Sequence, residues 1–186
     1  MKNKIELLAP GGDIDSIKAA IVAGADAVYC GLDRFNARHR AENISFRDLA
    51  GIIRLAHQHR CEVFLTLNII IVETEIPALI TLLNKVVNTK IDGIIVQDLG
   101  VCYLLSKYYP SLDIHASTQL TTHNAGQIKF LHQLAATRVN LSRELSLDEI
   151  AVLSAVAHDH DMLTEVFVHG SNCIAFSGLC YMSSVH

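Results

Sequence analysis

Seven times along its 186 residues the chain passes from a short apolar, β-branched run into a helical pattern, at a period of about 25 residues. That repeat restricts the fold more than any other feature. A strand that continues into a crossover helix and returns parallel builds right-handed βαβ units around a parallel sheet. The strands are expected at Ile5–Pro10, Asp26–Leu32, Glu62–Asn68, Asp92–Asp98, Asp113–Gln119, Thr137–Ser142 and Thr164–Val168. Between them, Asp13 caps a helix over Ile14–Ala23 that stops at Gly24, and Ser45 caps one that carries Leu49, Ile52, Ile53 and Ala56 at helical spacing. Thr74, with Pro77 in the first turn, opens the next helix through Ile80, Leu83 and Val87. Further helices are expected around Val101–Tyr109, where Pro110 ends the turn, and over Asn124–Ala135. The last starts at Ser146-Leu147-Asp148-Glu149, a capping sequence with carboxylates in the first turn, and reaches His158.

The composition agrees with such a sheet. Hydrophobic residues make up 51% of the chain and charged residues 18%, as expected when helices cover both faces of the strands. The expected architecture is α/β, a parallel TIM-like β/α barrel of one domain over residues 1–186. An open dinucleotide-binding sheet is the rival, but Pro10-Gly11-Gly12-Asp13 is not its G-x-G-x-x-G fingerprint. The barrel is expected to be incomplete, because closure takes eight consistent strands and Tyr181-Met182-Ser183-Ser184-Val185-His186 offers no eighth. The reading is a piece of a longer enzyme, with an unpaired edge open to self-association or to a partner. A net charge of −4 gives no overall basic field for nucleic acid. No leader-like segment or apolar run of roughly 18 residues is visible, so a cytoplasmic protein without a membrane span is expected.

In a β/α barrel, chemistry sits at the C-terminal strand ends. Here those ends carry Cys30-Gly31 with Arg34 and Arg38, Asn68, Gln97-Asp98, His115-Ser117-Gln119, Ser142-Arg143-Glu144 and Glu165-Phe167-His169. Glu165, His169 and Arg143 are the candidate catalytic groups; Arg38, Asn68, His115 and Gln119 are the candidate substrate-binding groups. His115, Ser117 and Gln119 share one strand face by the two-residue period, as either a satisfied polar plug or a substrate pocket. Arg38 and Arg143 either grip a carboxylate or phosphate in bidentate fashion or pair with neighbours such as Glu42 and Glu144. His57, His59, His158 and His160 stand near helix ends and are given no role. Ser117, His115 and Asp98 can be written as a triad on paper, without a nucleophile elbow to support it. Cys30, Cys61 and Cys102 lie in or beside apolar segments and read as small buried hydrophobes.

The last twenty or so residues carry the densest pattern: Glu165-Val166-Phe167-Val168-His169-Gly170-Ser171-Asn172-Cys173, then Gly178-Leu179-Cys180-Tyr181-Met182-Ser183. Two thiols separated by six residues, a glycine among them, suit a soft metal centre, although that spacing equally fits free cysteines or a labile disulfide. The segment resembles the signature of peptidase family U32, the collagenase-like peptidases. Glu165, Phe167, Gly170, Ser171, Cys173, Gly178, Cys180, Met182 and Ser183 match it, while Asn172 stands where the family carries an apolar residue. Glu6-Leu7-Leu8-Ala9-Pro10-Gly11-Gly12, Gly24-Ala25-Asp26-Ala27-Val28-Tyr29, His115-Ala116-Ser117-Thr118-Gln119 and Arg143-Glu144-Leu145-Ser146 are similar to family blocks in the same order. The resemblance implies an enzyme, either a collagenase-like peptidase or an oxygen-independent hydroxylase with an iron–sulfur cluster on four cysteines. Such hydroxylases act on a transfer-RNA uridine, a ribosomal RNA cytidine or ubiquinone precursors, and prephenate is a co-substrate in some. Asn36-Ala37-Arg38-His39 and His115–Gln119 lean toward the ribosomal RNA branch. By this resemblance Cys173 and Cys180 are the first two cluster ligands, and the other two lie beyond His186. A non-enzymatic alternative is a truncated or partner-dependent remnant.

Overall fold

The computed structural model describes residues 5–37, 44–170, 173 and 175–178. Its strands are β1 (Leu8–Pro10), β2 (Ala27–Cys30), β3 (Glu62–Leu67), β4 (Gly93–Val96), β5 (Ile114–Ala116), β6 (Ala136–Asn140) and β7 (Leu163–Glu165). Helices alternate with them: α1 (Ile14–Val22), α2 (Phe46–Gln58), α3 (Ile76–Val86), α4 (Leu99–Tyr108), α5 (Ala125–Gln133) and α6 (Leu147–His158). The strand order is β1-β2-β3-β4-β5-β6-β7, and β1–β2, β2–β3, β5–β6 and β6–β7 pair in parallel. This is the α/β topology of sequential βα units that the repeat predicts.

Two compact units divide the chain: Met1–Leu67 with Ile71–Ile94, and Asn68–Ile70 with Ile95–His186. In the first, α1 and α2 are capped as expected, the Asp13 carboxylate accepting the Ser16 amide at 2.6 Å and the Ser45 hydroxyl the Asp48 amide at 3.2 Å. Their inward residues Ile17, Leu49 and Ala56 are fully buried, as are Val63 and Leu65 of β3 and Leu79 and Leu83 of α3. Each such aliphatic side chain contributes about 1.5–3 kcal/mol by leaving water. Gly11 permits this packing: a Cβ there would lie 2.2 Å from Ile17 Cγ1, and its amide donates to Tyr29 O at 2.8 Å. Asp92 precedes β4 and donates its amide to Val63 O at 3.1 Å, while its carboxylate takes the Val63 amide and His57 Nε2, both at 2.8 Å.

The second unit repeats the construction. Asp98, expected to end a strand, caps α4 by accepting the Val101 amide at 3.0 Å. Asn124 caps α5 in the same way through the Gln127 amide, and Ser146 and Glu149 form the expected capping box on α6. Val96, Leu105, Ile128 and Val139 are fully buried. Several strands are shorter than the apolar runs suggest. β5 stops at Ala116 because the Ser117 hydroxyl turns back to accept the Gln119 amide at 3.2 Å. That contact starts a 3-10 turn over Thr118–Leu120, which ends at Thr121 with a left-handed φ of 53°. Gln119 therefore does not continue the strand face of His115, contrary to the two-residue alternation. β7 likewise ends at Glu165, so Phe167 and His169 follow the strand and stand exposed.

Candidate functional site

The chemistry-bearing loops of the second unit converge after β4, β5 and β6. Residues 175–178 of the cysteine segment lie across them, fixed at both ends by side chains. The Arg143 guanidinium, just past β6, donates to Cys173 O at 3.2 Å and to Ala175 O at 2.6 Å. The Arg143 amide donates to the Ser177 hydroxyl at 3.3 Å, and the Glu144 carboxylate accepts the Ser177 amide at 2.7 Å. Beyond β4, the Gln97 carboxamide donates to Gly178 O at 3.2 Å. Gly178 has a φ of +126°, and a Cβ there would come within 2.6 Å of Thr121 Cγ2. The loop is closed down onto the strand ends as far as a glycine allows. Burial pushes the Glu144 carboxyl up, but the amides of Ser177 and Glu144 itself, the Ser177 hydroxyl and the Arg143 charge together hold it below its ordinary value.

This arrangement presents Cys173 as an exposed thiol. The other three cysteines among the described residues are buried, and burial pushes Cys30 and Cys102 up to about 12. Burial raises Cys61 as well, reinforced by the nearby Asp26 and Asp92 charges. A thiolate ligand needs deprotonation and access. Cys173 is accessible, while burial holds the other three thiols in their protonated form. Cys180, the second expected ligand, lies outside the described residues, as does Arg38.

Each remaining sequence candidate has a definite environment. His115 is buried in β5, and burial followed by the Arg138 charge pushes its imidazole down to about 3. Glu165 ends β7 and accepts the Asn140 carboxamide at 2.7 Å. Asn68 is half-buried after β3, and His169 is exposed. Gln119 is brought together with Gln97 at the wall of a cavity of 740 Å³.

His123 and Phe176, neither singled out by pattern, also line that wall. Their rings stack at 5.7 Å with 10° between planes. His123 Nδ1 lies 2.7 Å from Thr121 O, which places the proton on that nitrogen, and Nε2 faces Glu144 Oε2 at 3.6 Å. Ser142 Oγ lies 3.3 Å from the same Nδ1, so Ser142, His123 and Glu144 stand in the order of a hydrolytic triad. The order is misleading. A general base needs a lone pair toward the serine, whereas Nδ1 is committed as a donor, and Ser142 is 2% exposed.

Comparison with known proteins bears on the same segment. The profile of peptidase family U32 matches residues 12–186. The chain belongs to peptidase family U32. The U32 chain is 39% identical over 181 residues to a 23S rRNA 5-hydroxycytidine synthase of Escherichia coli (strain K12), covering 97% of this chain and 27% of that protein. It is 37% identical to a tRNA hydroxylation protein P of Haemophilus influenzae (97% and 39% covered) and 32% identical to a collagenase of Porphyromonas gingivalis (97% and 45% covered). It thus spans less than half the length of these curated relatives. Among solved structures, a U32 peptidase superposes with a TM-score of 0.67 at 11% identity, over 89% of this chain and 70% of that one, a likeness of fold. Among the described residues no helix is long and apolar enough to cross a membrane.

Proposed function

We propose that this chain is the βα portion of an oxygen-independent hydroxylase that acts on a pyrimidine of ribosomal or transfer RNA. Cys173 and Cys180 would hold an iron–sulfur cluster together with two thiolates from outside the chain. One observation carries the reading: an exposed cysteine stands on a loop that Arg143, Glu144 and Gln97 fix over the strand ends, beside a cavity that Gln97 and Gln119 line. The names of the two RNA-modifying relatives supply the substrate class. A thiolate donor on an accessible, positioned loop fits a cluster ligand, and the cluster would supply redox and Lewis-acid chemistry. The chain's own residues hold the loop through Arg143 and Glu144, fix the His123 ring through Thr121, and place the Gln97 and Gln119 carboxamides at the cavity. The cytoplasm and a prephenate co-substrate belong to this reading as well.

The test replaces the matching residues of the E. coli synthase with this chain, in cells that lack the synthase, and measures 5-hydroxycytidine in 23S rRNA by mass spectrometry. The chimera should restore the nucleoside and bind iron, and Cys173→Ala or Cys180→Ala should abolish both. A soluble chimera whose iron content and product are unchanged by both substitutions refutes the cluster assignment. The Porphyromonas collagenase supports a second reading, peptide hydrolysis. Gelatin cleavage by the purified chain that persists in chelator and after thiol alkylation would replace the hydroxylase reading with that one.

A further inference from the structure

The cavity of the second unit has its own chemistry. Its 740 Å³ falls within the range of small-molecule sites, about 300–1,000 Å³. Among the described residues its wall contains no Asp, Glu, Lys or Arg; it is built from carboxamides, hydroxyls, the His123 ring and the apolar Ile70 and Phe176. A ligand that carries two carboxylates or a phosphate would want a cationic side chain there. A neutral, planar ring with a polar edge would not.

The hydrogen bonds show which wall groups are already used. Gln127 is consumed at both ends, its oxygen by the His123 amide at 2.8 Å and its nitrogen by Thr121 O at 2.9 Å. Asn124 gives its oxygen to cap α5. The Gln97 nitrogen holds Gly178 O, which leaves the Gln97 oxygen, and the Gln119 side chain has no hydrogen-bond partner among the described residues. Gln119 thus offers a donor and an acceptor at the wall, and Gln97 a further acceptor. Phe176 supplies a plane: His123 backs one of its faces, and the side chain is 64% exposed. Because Thr121 O fixes the histidine, the phenyl ring is supported and a third ring can continue the stack.

We propose that this cavity receives a single unpaired pyrimidine base of RNA, stacked on Phe176, with its hydrogen-bonding edge read by Gln119 and the Gln97 oxygen. The assignment rests on the hydroxylase reading and adds the place where the target nucleotide sits. Enzymes that act on a base take it out of its stack, pack it against an aromatic face and read its edge with polar side chains. The absence of fixed charge from the described wall assigns the cavity to the base rather than to an anionic co-substrate.

The experiment measures binding of fluorescein-labelled oligocytidine and oligouridine decamers to the whole 186-residue chain by anisotropy, with prephenate as competitor. Phe176→Ala should weaken both RNAs about ten-fold, and Phe176→Trp should retain binding. Gln119→Leu should change the ratio between the two RNAs, prephenate should displace neither, and Val152→Ala, on exposed α6, should leave affinity unchanged. Phe176 is exposed, so circular dichroism should show every variant folded. RNA binding that survives Phe176→Ala and Gln119→Leu unaltered, or that prephenate displaces, overturns the cavity assignment while the hydroxylase reading stands. Absence of RNA binding by the unsubstituted chain overturns the cavity assignment, and loss of product in the chimera decides the hydroxylase reading separately.

Discussion

In the first unit Asn36 and Thr66 are the buried polar residues among those described, and each donates to a backbone carbonyl, Asn36 to Leu32 O and Thr66 to Cys30 O at 3.1 Å. In the second unit the buried polar residues are Gln97, His115, Ser117, Thr122, Arg138, Asn140, Ser142 and Ser177. The βα step is the same in both, so the difference does not come from the architecture. A buried polar group costs about 1–3 kcal/mol unless it is paired. A stretch of chain that keeps many of them either spends them on neighbours or holds them for a ligand. In the second unit Ser177 and Gln97 fix the cysteine loop, and the half-buried Gln119 stands with Gln97 at the cavity wall. In the proposed reading the first unit works as scaffold and the second as site.

Three measurements can break or sharpen that contrast. The largest expected effect is on the thiols. Iodoacetamide at pH 8 should label the exposed Cys173 at least about a hundredfold faster than Cys30 or Cys102, whose thiols are buried and pushed up to about 12. Mass spectrometry of the labelled peptides reads the rates, and comparable rates would erase the distinction.

Next comes the separation of core from clamp. Leu65→Ala, at a fully buried position of β3, should cost about 2–5 kcal/mol in urea denaturation. Glu144→Gln should leave the midpoint almost unmoved, within about 0.5 kcal/mol. It should, however, speed chymotryptic cleavage at Phe176 several-fold, because the carboxylate that accepts the Ser177 amide is weakened. The same loosening should appear in the unsubstituted chain as pH falls below the ordinary carboxylate range, through the lowered Glu144 value, read there with pepsin as the acid-active protease. A cleavage rate indifferent to both changes would dismiss the clamp.

The third effect is in acid. His115 takes up a proton near 6.5 when unfolded but only near 3 when folded. Protons therefore favour the unfolded chain as pH drops from 6.5 toward 3, by at most about 1.4 kcal/mol per pH unit. His115→Asn should flatten that slope. An unchanged acid limb would show that His115 is not the group responsible.

Much of the fold was legible because its signals are local. The caps at Asp13, Ser45, Asn124 and Ser146 each close on an amide three residues ahead. The strand ends were less legible: the apolar alternation runs on through Gln119, but a hydroxyl two residues back turns the chain before it. Of the candidate site, Cys173, Arg143 and Gln119 were singled out, and the structure sets them in the cysteine loop, its clamp and the cavity wall. Glu144 was noted at a strand end, in a block similar to the family's and as a neighbour that Arg143 could pair with, but was given no role of its own, and nothing pointed to His123 or Phe176. The adjacency of Arg143 and Glu144 was the one available hint.

By itself, the sequence determined the βα repeat, the helix boundaries and the membership of family U32, since each depends on residues close together along the chain. Only the tertiary structure decided what those residues touch. Arg143 reaches Cys173 and Ala175 across separations of 30 and 32 residues, and Glu144 reaches Ser177 across 33. His123 meets Phe176 from another loop altogether. Contacts of that range leave no periodic trace in a sequence, because packing of the intervening strands and helices sets them.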